Sequence, residues 1–211
     1  MKEEKVFIPS KGGQLEGLMS IQEAFSMKGG IILCHPHPQY GGDMHNLVIS
    51  TAMDAANQEG FSTLRFNFRG VGRSGGSYSE GVGEREDVRA AIDYLYSALG
   101  QADSPVTLLG YSFGAWVALP VGIQDNRVKG MVAIAPPLEL YDFGFLEGNK
   151  KRKLFMAGDQ DFFCPMPKLK TWFERLEEPK SLAMIQGADH FFFAHHRLLI
   201  EPLRTFLSSE F

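Results

Sequence analysis

The chain of 211 residues holds two cysteines, Cys34 and Cys164. That is too few to frame a disulfide-stapled miniprotein. No segment reaches the roughly 18–20 unbroken apolar residues that a membrane-spanning helix needs. The opening Met-Lys-Glu-Glu-Lys is charged where a secretion signal would be apolar. There is no excess of positive charge. Lys and Arg number 21 against 25 Asp and Glu, a net of −4, so nothing draws the chain generally to nucleic acid or anionic lipid. Repeats, low-complexity runs and linkers are absent too. The expectation is a single domain, residues 1–211, in a cytoplasmic protein with reduced thiols, no nucleic-acid partner and no membrane insertion. An apolar content of 44% with 22% charged residues excludes a disordered chain.

What is present is an alternation of short apolar runs with longer helical patterns. The runs are Lys5–Ile8, Leu15–Ile21, Gly30–Cys34, Thr63–Phe68, Val106–Leu109, Gly130–Ala135, Lys153–Ala157 and Ser181–Ile185. From Gly30 onward most are apolar throughout, as strands covered on both faces are. The first two alternate and flank Lys11-Gly12-Gly13, which predicts an antiparallel hairpin at a sheet edge. Helices are expected over Met44–Asn57, Glu84–Leu99, Phe113–Val121, Lys168–Leu176 and His196–Leu207. In the second, Val88, Ala91, Ile92 and Leu95 form one stripe, and Glu84, Glu86 and Asp87 suit the positive end of the helix dipole. Strand and helix in alternation give an α/β domain with a mostly parallel sheet. Ligands of such sheets bind beyond the carboxyl ends of the strands.

One such end reads Gly110-Tyr111-Ser112-Phe113-Gly114, between an apolar strand and a helix. This is the G-x-S-x-G pattern in the setting it requires. A tight turn presents Ser112 as a nucleophile, and glycines flank it where a Cβ would collide. A serine nucleophile needs a histidine base and a carboxylate to orient it. Of the six histidines, His190, His195 and His196 follow Ser112. His190 comes directly after the last apolar run and is the expected base, with His195 the alternative. Asp161 is the expected acid. Asp159 competes, with the other role of holding the turn beside Gly158, and Asp189 is left to loop hydrogen bonding.

Two backbone donors should hold the negative oxygen of an acyl-transfer intermediate. Phe113 supplies one. The other is expected in Cys34-His35-Pro36-His37-Pro38-Gln39-Tyr40-Gly41-Gly42, where Pro36 and Pro38 have no N–H to give. His37 is the choice, with Gln39 or Tyr40 as fallback. His35, His37, Asp43 and His45 lack a metal-site spacing, so the two loop imidazoles are expected to brace the turn. No metal and no cofactor is expected.

The His35–Gly42 loop, the stretch Arg65-Phe66-Asn67-Phe68-Arg69-Gly70-Val71-Gly72-Arg73-Ser74, the Gly110–Gly114 turn and the pair Asp161 and His190 together resemble an α/β-hydrolase over nearly the whole chain. Within that superfamily the chain is similar to the small serine hydrolases related to dienelactone hydrolases and acyl-peptidase catalytic domains. The resemblance implies an eight-stranded, mostly parallel sheet with an antiparallel N-terminal edge and helices on both faces. It implies Ser112 as nucleophile, Asp161 as acid, His190 as base and N–H donors at His37 and Phe113. It further implies that Arg69 and Gly70 organise the loops at the catalytic end. Many relatives have His-Gly where this chain has His35-Pro36. Only about 17 residues separate the sixth and seventh runs, room for one short turn or helix, so no lid domain is expected. Phe143, Phe145, Phe162, Phe163, Phe191, Phe192 and Phe193 are divided between pocket lining and loop packing. Cys34 is expected in the core, and Cys164 in a loop near Asp161 where exposure is possible.

The expected reaction is cleavage of small to medium esters or thioesters through an acyl-enzyme on Ser112, the partner being a small-molecule substrate. Amide hydrolysis by the same residues, or a silent binding protein of this fold, are the alternatives.

Overall fold

The computed structural model describes residues 3–23, 27–100 and 103–209. Its strands are β1 (Glu4–Ser10), β2 (Gly13–Ser20), β3 (Gly30–Cys34), β4 (Ser62–Phe66), β5 (Val106–Tyr111), β6 (Val128–Ile134), β7 (Arg152–Gly158) and β8 (Lys180–Ile185). They form one eight-stranded sheet in the order β1-β2-β4-β3-β5-β6-β7-β8. The hairpin lies at the edge as expected: β1 pairs antiparallel with β2, and β2 antiparallel with β4. From β4 to β8 every pairing is parallel.

The helices are α1 (Leu47–Gln58), α2 (Val82–Leu99), α3 (Phe113–Gln124), α4 (Met166–Glu174) and α5 (Ile200–Ser208). Side chains alternate across a strand, and β3 shows how that splits the core. Ile31 and Leu33 join α1 and α5 on one face, through Val48, Ile49, Leu203 and Phe206. Ile32 and Cys34 join α2 and α3 on the other, through Ile92, Leu95, Val117 and Val121. All five residues of β3 are buried, which is why its sequence carries no polar alternation.

Three expectations change in detail. The last helical segment breaks into a short 3₁₀ turn, His196–Leu199, before α5 begins at Ile200. Glu84 and Asp87 do more than face a helix dipole, for both are fully buried. Glu84 accepts hydrogen bonds from the N–H groups of Ser79 and Gly81 at 2.8 Å. Asp87 accepts from Arg69 N and Nε at 3.0 Å, Arg69 Nη2 at 2.7 Å and Ser10 Oγ at 3.1 Å. Arg69 thus ties the loop after β4 to α2, and the carboxylate beside it raises its pKa. Cys164 is buried, as is Cys34. Burial pushes both thiols far above their ordinary pKa.

Between β6 and β7 the chain makes only the 3₁₀ turn Gly144–Leu146. No domain is inserted there to cover the carboxyl ends of the strands.

Candidate active site

Ser112 stands at the end of β5, on the step into α3. Its backbone has φ 54° and ψ −119°, a combination that L-residues rarely adopt. Ser112 N–H donates to Ile134 O at 2.8 Å, which pins the turn to β6. The flanking glycines are needed here. A Cβ on Gly110 would strike the backbone of Ala115, and one on Gly114 would strike the carbonyls of Cys34 and His35. The short side of the turn therefore lies directly against the end of β3.

Ser112 Oγ is 2.9 Å from His190 Nε2, and His190 Nδ1 is 2.8 Å from Asp161 Oδ2. The sequence separations are 78 and 29 residues, so the fold alone brings these groups together. Asp161 is 3% exposed. Its Oδ1 accepts from the N–H groups of Phe163 at 2.8 Å and Cys164 at 3.0 Å, which fixes the carboxylate with Oδ2 toward the imidazole. Asp159 takes the other role: its Oδ1 accepts from Gly187 N–H at 2.7 Å. Asp189 accepts from Phe191 N–H at 3.0 Å within its own loop. His195 Nδ1 lies 2.8 Å from Phe193 O instead.

The loop after β3 is braced by both of its imidazoles. His35 is fully buried. Its Nε2 accepts from Phe68 N–H at 3.0 Å, so Nδ1 carries the proton and donates to Pro36 O at 2.7 Å. Burial lowers its pKa to about 4. The unfolded chain therefore binds this proton more readily than the folded one between about pH 6.5 and pH 4. Stability is full above that range and falls as pH drops through it. The expected loss from pH 7 to pH 5 is about 2 kcal/mol. Urea unfolding at the two pH values will show it, and the loss should shrink in His35→Gln, which has no imidazole to protonate.

His37 caps the 3₁₀ turn Pro38–Tyr40. Its Nδ1 accepts from Gln39 N–H at 3.2 Å, and its Nε2 lies 3.2 Å from Tyr78 Oη. Burial holds the imidazole toward its neutral form. Tyr40 N–H is taken by His37 O at 3.1 Å. The two fallback donors, Gln39 and Tyr40, are thus engaged inside the loop. Among the described residues no acceptor faces the N–H groups of His37 or Phe113.

An open cleft of about 600 Å³ borders Ser112 and His190. The His37 ring is 4.7 Å from that of Phe113 and 4.7 Å from that of Tyr40. Tyr141 lines the cleft and stacks on Trp116 at 4.3 Å. Beside His190 lie the rings of Phe163 at 4.8 Å and Phe191 at 5.5 Å. Of the seven phenylalanines singled out, Phe163 and Phe191 line the cleft. Phe143 and Phe192 are buried, whereas Phe162, Phe191 and Phe193 are exposed.

The sequence reading missed three tyrosines. Tyr111 Oη donates to His190 O at 2.8 Å and so steadies the histidine loop. It is the variable residue directly before Ser112, so its place in the motif was a usable signal. Tyr78 and Tyr141 reach the site from loops whose paths no periodicity records.

A serine on a strained strand-to-helix step, linked to a histidine and an aspartate at the carboxyl edge of a sheet in this order, defines the α/β-hydrolase class. The chain belongs to the α/β-hydrolase family, whose model matches residues 31–208. A solved α/β serine hydrolase homologue from Coxiella burnetii is 34% identical. It matches with a TM-score of 0.87 over 97% of each chain. A Xanthomonas campestris protein described as an α/β serine hydrolase without lid is 29% identical, with a TM-score of 0.87 over 98% of this chain and 94% of that one. The mitochondrial palmitoyl-protein thioesterase ABHD10 of Bos taurus is 28% identical over 171 residues, which cover 79% of this chain and 50% of that protein. The match spans only half the length of the thioesterase.

Proposed function

We propose that the protein is a serine hydrolase that cleaves small to medium carboxylic esters or thioesters through an acyl-enzyme on Ser112. The observation that carries this reading is the continuous hydrogen-bonded line from Asp161 Oδ2 through His190 to Ser112 Oγ, with links of 2.8 and 2.9 Å. His190 Nε2 takes the Ser112 hydroxyl proton as Oγ attacks the substrate carbonyl carbon. Asp161 accepts from Nδ1–H, fixes the tautomer and stabilises the imidazolium. The carbonyl oxygen becomes an oxyanion, which the N–H groups of His37 and Phe113 receive at the positive end of α3. His190 then returns its proton to the leaving oxygen or sulfur. Water, activated by the same histidine, releases the acid and frees Ser112. The thioesterase relative supports inclusion of thioesters. A fluorophosphonate probe should modify Ser112 alone, and modification should abolish ester turnover. An unlabelled folded protein without ester turnover would overturn the reading.

The second oxyanion donor can be tested by itself. His37 has φ −55°, within the range to which a proline ring locks φ. His37→Pro therefore removes the N–H with little change in the course of the loop, whereas His37→Ala keeps it. We expect kcat of His37→Pro to fall about 100-fold below that of His37→Ala, in line with loss of one oxyanion donor. Equal rates in the two variants would move the donor elsewhere.

A further inference from the structure

The two walls of the cleft differ in chemistry. On the side of the two unpaired N–H groups, beside the Phe113 ring, stand His37, Tyr40 and Tyr141, which carry imidazole nitrogens or hydroxyls. On the side of His190, Phe163 and Phe191 line the cleft, and Phe162 and Phe193 pack beside them outside its lining; none of the four carries a polar ring atom. Phe163 and Phe191 face the imidazole edge-on, at 72° and 90°. Phe162 extends the wall outward from Phe163 at 4.1 Å, and Phe193 extends it from Phe191 at 5.7 Å. Phe162, Phe191 and Phe193 are 60%, 49% and 71% exposed. Such an apolar strip, continuous with a reaction centre, is a surface that gains by being covered.

The backbone holds part of this strip outward. Phe192 and Ala194 both have positive φ, at 54° and 60°. Left-handed backbone costs a residue with a side chain roughly 1–2 kcal/mol. The Phe192 ring is fully buried and anchors the loop, while its two neighbours are turned to solvent.

The geometry of acyl transfer says which half of a substrate meets this wall. In the tetrahedral intermediate the carbon carries Ser112 Oγ, the oxyanion, the acyl carbon and the leaving atom. The oxyanion points to the donors on the tyrosine side. The leaving atom must come within about 3 Å of His190 Nε2, because the bond to carbon breaks as that nitrogen hands over its proton. The group attached to the leaving atom therefore projects from His190 onto the phenylalanines. Resting on the hydrolase reading above, we propose that the site selects esters and thioesters whose leaving alcohol or thiol is an apolar alkyl or aryl group. Selection acts on the departing half of the substrate, and the acyl half is read less strictly.

Two matched series separate the halves. One is acetates of methanol, butanol, hexanol and benzyl alcohol. The other is ethyl esters of acetic, butanoic, hexanoic and phenylacetic acids. In the native protein, kcat/KM should rise about tenfold or more from methyl to benzyl and hexyl acetates, and vary less across the ethyl esters. The double variant Phe162→Ser/Phe193→Ser should flatten the acetate series to within about threefold and leave the slope of the ethyl series as it was. All acetates give the same acetyl-enzyme, from which the leaving group has gone. Its hydrolysis rate, read after a burst, should therefore be the same in both proteins. Both replaced rings are mostly solvent-exposed, so urea midpoints should agree. The inference is overturned if apolar acetates are no better than methyl acetate, or if the variant depresses both series alike. It stands apart from the hydrolase reading, which survives either result. Only loss of all turnover together with loss of probe labelling at Ser112 fells both.

Discussion

Ser112→Ala should lower ester kcat by about 10⁴–10⁶-fold and abolish labelling by a phosphonate probe, because the proposed mechanism has no other nucleophile to replace it. The variant should fold as well as the parent. A more searching comparison is Ser112→Gly. The turn holds this position at φ 54° and ψ −119°, where an L-residue is strained by roughly 1–3 kcal/mol. Glycine relieves that strain and returns part of the gain through the greater freedom of its unfolded chain. We expect both variants to be equally inactive, with Ser112→Gly more stable than Ser112→Ala by about 1 kcal/mol. Urea unfolding reads the difference. A glycine variant less stable than the alanine one would show that the elbow is not strained, and residual turnover near the parent rate would remove Ser112 from the chemistry.

Asp161→Asn should lower kcat/KM by about 10⁴-fold with little loss of stability. The asymmetry follows from the separate work of the two carboxylate oxygens. Oδ1 accepts from Phe163 and Cys164 N–H, which an amide oxygen does equally well. That holds the new NH₂ group toward His190 Nδ1, donor facing donor. The imidazole must then move its proton to Nε2, the atom that has to accept from Ser112. The fold is kept and the base is lost. Asp159→Asn provides the contrast, since Asp159 serves Gly187 and not the imidazole. Its kcat/KM should stay within about threefold of the parent. Ester kinetics on the two variants decide between these carboxylates directly. An Asp161→Asn rate within tenfold of the parent would reject the assignment.

The frame of the molecule was legible because buried parallel strands leave a plain mark. The run Gly30–Cys34 coincides with β3 to the residue, having apolar neighbours on both faces. The Gly110–Gly114 stretch was legible for a steric reason, since each glycine meets backbone where a Cβ would stand. Asp161 and His190 could be chosen because strand ends gather at one edge of the sheet. Boundaries were less visible where polarity does not change with structure. Nothing in His196–Leu199 distinguishes a 3₁₀ turn from the first turn of α5. The acids Glu84 and Asp87 were legible only as charges suited to a helix start, because their buried partners, the N–H groups of Ser79 and Gly81 and the Arg69 guanidinium, are set by tertiary structure. Tyr78 and Tyr141 were hidden for a similar reason, and the phenylalanines near the site could be named but not sorted. Composition counts 17 phenylalanines, but it does not record that Phe192 is buried between exposed Phe191 and Phe193 in a loop with positive φ at Phe192 and Ala194.

The two sealed cysteines have a practical consequence at the bench. An aromatic disulfide reagent that releases a coloured thiolate reacts with the thiolate form of a cysteine, and Cys34 and Cys164 are buried and held in the neutral form by their surroundings. The native protein should therefore add almost no background of its own when such a reagent is used to count mercaptan released from a thioester. Colour that rises only after urea is added would then report unfolding, so one cuvette serves for both turnover and integrity.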